Sequence, residues 1–458
     1  MVWSPYYLVF YLDILLSTLI FHRFSVVSNE FNRGLSDLQL VSNIEFLIEW
    51  ALNNRGETVS EKPLKGIRVV DLTRILSGPY CTMILKNLGA EVIKVERPYI
   101  GDDARLIGPF RDDDLRRSAY FMSLNAGKMS LSVNLKTEEG SGVLKRLIER
   151  SDVLVENYRP GTLAGLGFSE EDIMKINPEI VYASVSGFGH TGPDSKKGAY
   201  DMIVQALSGI ISITGTEKGE TVRVGTSVAD IFAGMFAAIG VLTSLYRRCN
   251  TAAGARVDVA MLDGTVAVLE NAIARYQTTG EIPGPMGKRH PSIAPFGGFR
   301  TADSEIIIAV GNDNLFEALC DVIGRPKLKK DDRFSTNELR TKNVKELTEL
   351  INSALSGNTT DYWLERLTGA GIPCAKINNI SDLFNCPQIR ARNMLVPLDG
   401  EGDFKIAGNP VKIKGVPDCT SFEKAPALGE HNETVMTGVL GYSEAEVSEL
   451  YEKGILFR

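Results

Sequence analysis

The chain has 458 residues, enough for two hydrophobic cores, and its 50 basic and 57 acidic side chains leave a formal charge of −7. That balance, spread along the chain, argues against nucleic acid as a bulk partner and confines any anion site to a local cluster. Six cysteines without a C-x-x-C pair and four scattered histidines without an H-E-x-x-H set predict neither a disulfide framework nor a metal. A reducing compartment is expected: the cytoplasm, or the mitochondrial matrix if the source is eukaryotic.

Residues 6–21 (YYLVFYLDILLSTLIF) form an apolar run interrupted by Asp13. It is shorter than the roughly 20 residues a bilayer span requires, and no basic cluster precedes it. Residues 1–62 are therefore read as an extension outside the core, and no membrane is expected. From Leu64 the pattern becomes short apolar runs alternating with amphipathic ones. Strands are expected at 67–72 (IRVVDL), 91–96 (EVIKVE), 131–135 (LSVNL), 152–156 (DVLVE) and 180–187 (IVYASVSG). Helices are expected at 79–89, closed by Gly89, and at 138–151. Parallel neighbours need crossover connections, so this alternation predicts an α/β fold with a Rossmann-like parallel sheet in a large domain. A long buried helix (231–248), a strand (255–262) and a helix through Tyr276 follow. The Gly- and Pro-rich stretch 278–298 reads as a linker, and 305–311 with helices at 314–323 and 342–356 predicts a smaller α/β domain.

Four segments carry candidate chemistry. In 64–97 a strand, a Gly-Pro turn opening a helix, and a second strand ending at Arg97 make a crevice suited to a phosphate, although no G-x-G-x-x-G is present and the unit reads equally well as structural. ENYRPG (156–161) presents Asn157 and Arg159 at a strand-to-loop junction, and Lys128 precedes another strand; each is a ligand contact or a solvated side chain. SGFGHTGP (186–193) is a glycine-rich loop whose backbone can approach a ligand closely, or a flexible turn. Asp201 and Asp230 each open an apolar helical run; each reads as a helix cap, or as half of a carboxylate pair able to attack a thioester.

These segments, together with GAEVIKVERP (89–98), NLKTEEG (134–140), HPSIAPFGGF (290–299) and ALGEH (427–431), resemble the class III (CaiB/BaiF-type) CoA-transferase family over about Leu64 to Leu450. The resemblance implies a CoA-transferase with Asp230 as nucleophile and Asp201 as its acidic helper. It places Arg97, Lys128, Asn157 and Arg159 near CoA, and makes the CoA thioester a substrate with no permanently bound cofactor. Residues 63–280 then form the CoA-binding domain, 281–395 the small domain and 396–458 a return to the large one, in an interlocked homodimer. The C-terminal third is most similar to succinyl-CoA:glutarate and related dicarboxylate members, with Lys288 and Arg289 as candidate partners for a second carboxylate. The glycine-rich loop of some relatives is absent, which leaves Gly297 and Gly298 as the nearest oxyanion donors. Two alternatives stay open: an α-methylacyl-CoA racemase-like enzyme, disfavoured because Tyr200 stands where that group has histidine, and a catalytically silent CoA-binding protein.

Overall fold

The computed structural model describes residues 61–458, so the expectation for the apolar N-terminal run lies outside the described residues. Six strands form one fully parallel sheet: β1 (Arg68–Asp71), β2 (Glu91–Glu96), β3 (Met129–Ser132), β4 (Val153–Glu156), β5 (Val181–Ser186) and β6 (Ala255–Ala260). Their spatial order is β3-β2-β1-β4-β5-β6. The chain runs outward from β1 through β2 to β3, then crosses back to β4 on the other side of β1 and runs outward the other way, so the sheet has a switch point between β1 and β4. Crevices beyond the carboxyl ends of strands open at such points.

Both faces of the sheet are covered, which explains the near-continuous apolar runs of its strands. On one face Ile93, Leu131, Leu154 and Leu147 pack with Met436, Leu450 and Leu456 from the end of the chain. On the other, Val92, Val153 and Val181 pack against helix α1 (Ser77–Asn87) and a longer helix, α2 (Val228–Thr251). Each aliphatic side chain buried in this way contributes roughly 1.5–3 kcal/mol.

The buried face of α2 is made of Ala229, Ala233, Gly234, Ala237 and Ala238, small enough for close approach. A Cβ at Gly234 would lie 2.6 Å from the Ser77 carbonyl oxygen, and one at Gly240 would lie 2.6 Å from Val257. Among the described residues α2 is the one helix long and apolar enough to cross a membrane, and its small-residue face packs on α1 and the sheet. At its far end Arg248 donates to an Asp152 carboxylate oxygen at 2.7 Å and to the Glu179 carbonyl at 3.2 Å.

The smaller domain has a sheet of its own. It is antiparallel, in the order β7-β8-β9, built from β7 (Phe296–Arg300), β8 (Glu305–Ala309) and β9 (Cys374–Lys376). Strand β7 falls at the end of the stretch read as linker. Its glycines have a packing reason, since a Cβ at Gly297 would meet the Lys288 carbonyl at 2.9 Å. The strand expected at 131–135 begins two residues early, because pairing with β2 starts at Ile93 opposite Met129. The strand expected through residue 262 ends at Ala260, where Met261 opens a helix.

Candidate active site

Three chain segments meet at the switch point. The turn after β1 is held by Asn157, which follows β4. Its Oδ1 accepts the Arg74 N–H at 2.8 Å, and its Nδ2 donates to the Arg74 carbonyl at 2.8 Å and to the Ser77 hydroxyl at 3.3 Å. Ser77 opens α1, and Asp230 sits in the first turn of α2. Helix α3 (Asp201–Ser208) brings the second carboxylate. Asp201 accepts the Ala229 N–H at 3.0 Å and the Gln205 amide at 2.7 Å, and so caps α2 from a neighbouring helix.

The structure therefore brings Asp230 and Asp201 together. A helix N-terminus favours a carboxylate by a few tenths to about 1 kcal/mol. Burial, and then the Asp201 charge, outweigh this and push Asp230 up to about 7. Burial, then the charges of Asp230, Asp102 and Asp201, push the Tyr120 phenol up to about 12. At neutral pH it keeps its proton.

A crevice of about 630 Å³ opens above the carboxyl ends of β1, β2 and β3, lined by Arg74, Arg97, Tyr99, Lys136, Tyr158 and Phe457 among others. Arg74 and Arg97 both grip Asp103, two guanidinium groups on one carboxylate, which leaves the rim net positive. Such a rim suits the phosphates of a nucleotide-bearing ligand. The Tyr99 ring is exposed and packs edge-on against Phe457 with centroids 4.5 Å apart, offering a flat surface for a base.

The remaining site expectations fare differently. Arg97 lines the crevice, and Arg159 is exposed just beyond Asn157, beside Gly198. Asn157 shapes the crevice floor through the backbone of the β1–α1 turn. Lys128 does not reach the crevice with its ammonium group: its side chain is fully buried and donates to Asp71 (3.0 Å), Thr82 (2.8 Å), Asn125 (2.9 Å) and the Pro79 carbonyl (3.3 Å). Burial, partly offset by Asp71, brings this lysine down to about 8. It is a core ion pair, and the contact expected between Lys128 and CoA is corrected accordingly. Lys288 pairs with Glu305, and Arg289 lies 3.6 Å from Glu217, so neither is a bare cation. Gly297 and Gly298 belong to strand β7, opposite Ile308 and Ile307, and not to a loop. His190 sits 3.0 Å from the Ser184 hydroxyl, and burial lowers its pKa, which keeps it neutral. No cluster of potential metal ligands occurs among the described residues.

Sequence reasoning missed Ser77, Tyr120, Lys136 and Tyr158. Of these, Lys136 lies inside the NLKTEEG block, where a lysine just past a strand end was the available signal.

Comparison with known proteins agrees with this geometry. The family model described as CoA-transferase family III matches residues 64–432. An acetyl-CoA:oxalate CoA-transferase of Acetobacter aceti is 44% identical over 80% of this chain and 93% of its own length. The succinyl-CoA:glutarate CoA-transferase of Mus musculus is 37% identical over 89% of this chain and 93% of its own. Among solved structures, a CaiB/BaiF family protein from Brucella suis superposes with a TM-score of 0.74 at 36% identity, covering 82% of this chain and 99% of that one. A matched span running from the strand that opens the sheet to the segment that closes it, with relatives of this identity over most of their length, establishes that the chain belongs to the class III CoA-transferase family.

Proposed function

We propose that this enzyme moves CoA from an acyl-CoA, with succinyl-CoA the expected donor, to a free dicarboxylic acid, using Asp230 as the covalent nucleophile and Asp201 as its acidic neighbour. The observation that carries the reading is the pair of carboxylates brought together at the start of α2, Asp201 bonded to the Ala229 N–H beside Asp230, whose pKa burial and the Asp201 charge raise. The dicarboxylate class is supported by the relatives' names, which specify oxalate and glutarate as acceptors.

The chemistry follows in four balanced steps. An Asp230 oxygen attacks the thioester carbonyl, and collapse of the oxyanion expels CoA thiolate to leave a mixed anhydride. The thiolate attacks the aspartyl carbonyl carbon, releasing the donor acid and leaving an aspartyl-CoA thioester. The acceptor carboxylate attacks that thioester, giving a new anhydride and thiolate. Attack of the thiolate on the acceptor's carbonyl carbon yields the new acyl-CoA and free Asp230. No proton is gained or lost overall, so the site needs donors for developing oxyanions more than it needs a base. Arg97, Lys136 and the Tyr99 ring would hold the nucleotide end of CoA, with Arg159 toward the pantetheine arm.

A racemase needs a strong base on each side of an α-carbon, and Tyr200 is a poor one. A silent CoA-binding protein would have no use for two carboxylates held together at a helix start. Residues 63–280 would supply the CoA site and 281–395 the cover over it, with 396–458 returning to the larger sheet. A second copy of the chain is expected against α2 and α3, where Ile203, Leu207, Met235 and Ile239 leave an apolar face exposed. Sedimentation would report a dimer, and Ile239→Glu a monomer.

The test is a panel of acyl-CoA donors against dicarboxylic acids, followed by mass spectrometry, with hydroxylamine trapping at residue 230. Transfer to at least one dicarboxylate is expected, and it should be abolished in Asp230→Asn. Full transfer by that variant would refute the covalent route.

A further inference from the structure

We infer that Asp102 is a positioning residue: backed by the buried Lys94 ammonium, its carboxylate holds Ile75 in a left-handed backbone conformation and so keeps the β1–α1 turn, with Arg74, in the shape that receives CoA. The inference rests on the crevice above β1, β2 and β3 being the CoA site, and it concerns a side chain that acts on the ligand through the backbone of residues 73–75.

Ile75 has a φ of 67°. A branched side chain crowds its own backbone in that region, so the conformation persists only where neighbouring groups fix it. Asp102 Oδ1 accepts the Ile75 N–H and the Ala104 N–H, each at 2.9 Å. Its Oδ2 lies 2.9 Å from the Lys94 ammonium, an ion contact between two fully buried side chains. Lys94 in turn donates to the Thr73 carbonyl at 2.8 Å, so the pair grips the turn at its first and third residues. From the other side Asn157 takes the middle residue, with the Arg74 N–H and carbonyl each at 2.8 Å. Asp102 is itself fixed, because its N–H donates to Glu96 Oε2 at 3.0 Å and Arg105 forks onto the same carboxylate at 2.8 and 2.7 Å.

The consequence falls on Arg74. Its guanidinium lines the crevice, 3.2 Å from Asp103 and 5.3 Å from the centre of the Tyr158 ring. Asp102 and Asp103 thus hold adjacent residues of the turn, one by backbone and one by side chain. Released from Asp102, Ile75 relaxes to negative φ, which swings the turn and draws Arg74 from the rim. Left-handed backbone is disfavoured for such a residue by about 5- to 30-fold, so without the hold only one molecule in about 5 to 30 is competent to bind. Apparent affinity falls by the same factor, while saturating ligand draws the whole population back.

Asp102→Ala is therefore expected to raise the Kd for CoA about 5- to 30-fold by calorimetry, and the KM for acyl-CoA with it, leaving kcat at saturation within about threefold of wild type. Ile75→Gly adopts positive φ at no steric cost. It should change Kd by less than about twofold alone, and should return the Asp102→Ala enzyme to within about threefold of wild type. Ile75→Val, still branched, should not. A carboxylate that touched the ligand, or that served stability alone, would show no rescue at residue 75. Where Asp102→Ala does not fold, Asp102→Asn takes its place: its single acceptor cannot serve both Lys94 and the Ile75 N–H, so the same shift and the same rescue are expected. A folded Asp102 variant with wild-type Kd, or a raised Kd that Ile75→Gly leaves unchanged, overturns the inference. If Arg74→Ala and Lys136→Ala both leave Kd unchanged, the crevice is not the CoA site and the inference falls with that reading; weakened binding in Arg74→Ala beside an unaffected Asp102→Ala removes the inference alone.

Discussion

Asp230→Asn is expected to make the protein more stable, in a pH-dependent way. Burial and the Asp201 carboxylate raise the Asp230 pKa from the ordinary 3.8 to about 7. The native state therefore holds this proton over a range where the unfolded chain has released it, and stability falls as pH rises through that window. At 1.36 kcal/mol per pKa unit the ionised side chain costs folding ~4 kcal/mol at pH 8 and ~1 kcal/mol near pH 4.5. The carboxylate keeps some contact with solvent, so about 2–3 kcal/mol is the working expectation at the higher pH. Asparagine has nearly the same shape and no charge to desolvate, so it should recover most of this. Urea denaturation of both proteins at about pH 4.5, 6 and 8, at one protein concentration, measures the difference. A gap that is the same at all three values, or an asparagine variant less stable than wild type at pH 8, would refute the account of how the carboxylate is held.

Lys128→Met should lower stability by about 3–5 kcal/mol by urea denaturation, because Asp71 loses its buried partner, while the folded fraction binds CoA normally. Lys136→Ala should weaken CoA binding about 5- to 20-fold by calorimetry with kcat at saturation unchanged, the pattern of a uniform binding contact. Gly234→Ala should cost about 1–3 kcal/mol and reduce kcat, because a methyl group 2.6 Å from the Ser77 oxygen forces α1 and α2 apart; a variant as stable and as active as wild type would contradict the packing described.

How far the sequence carries depends on whether a residue's role is local. Strands β1, β2, β4 and β5 are legible because a parallel strand covered on both faces needs an unbroken apolar run, and EVIKVE coincides with β2. Strand β3 slips because alternation marks apolar residues and not the partner opposite them. Strand β7 is illegible because FGGFR carries glycines for the close passage of 288–289, a tertiary cause that resembles loop chemistry. At the site, Asp201 and Asp230 read as helix caps or nucleophiles on local grounds. Asp201 proves to cap a helix, but not its own. Lys128 looked like a loop cation and is a core ion, because Asp71 lies across from it on β1, 57 residues earlier. Ser77 gave no sign at all, since its bond to Asn157 spans 80 positions.

Helix α2 runs 24 residues, about 36 Å at the helical rise. One end carries Asp230, and the other is clamped by Arg248 to Asp152 at the foot of β4. A rod braced in this way has little freedom to tilt, so placement of the Asp230 carboxylate, the proposed nucleophile, is governed partly by a guanidinium at the opposite end of the helix. Random mutagenesis for activity should therefore return hits at position 248 alongside those lining the crevice, and an engineer seeking a wider acceptor range gains more by loosening that distant brace than by carving the pocket wall.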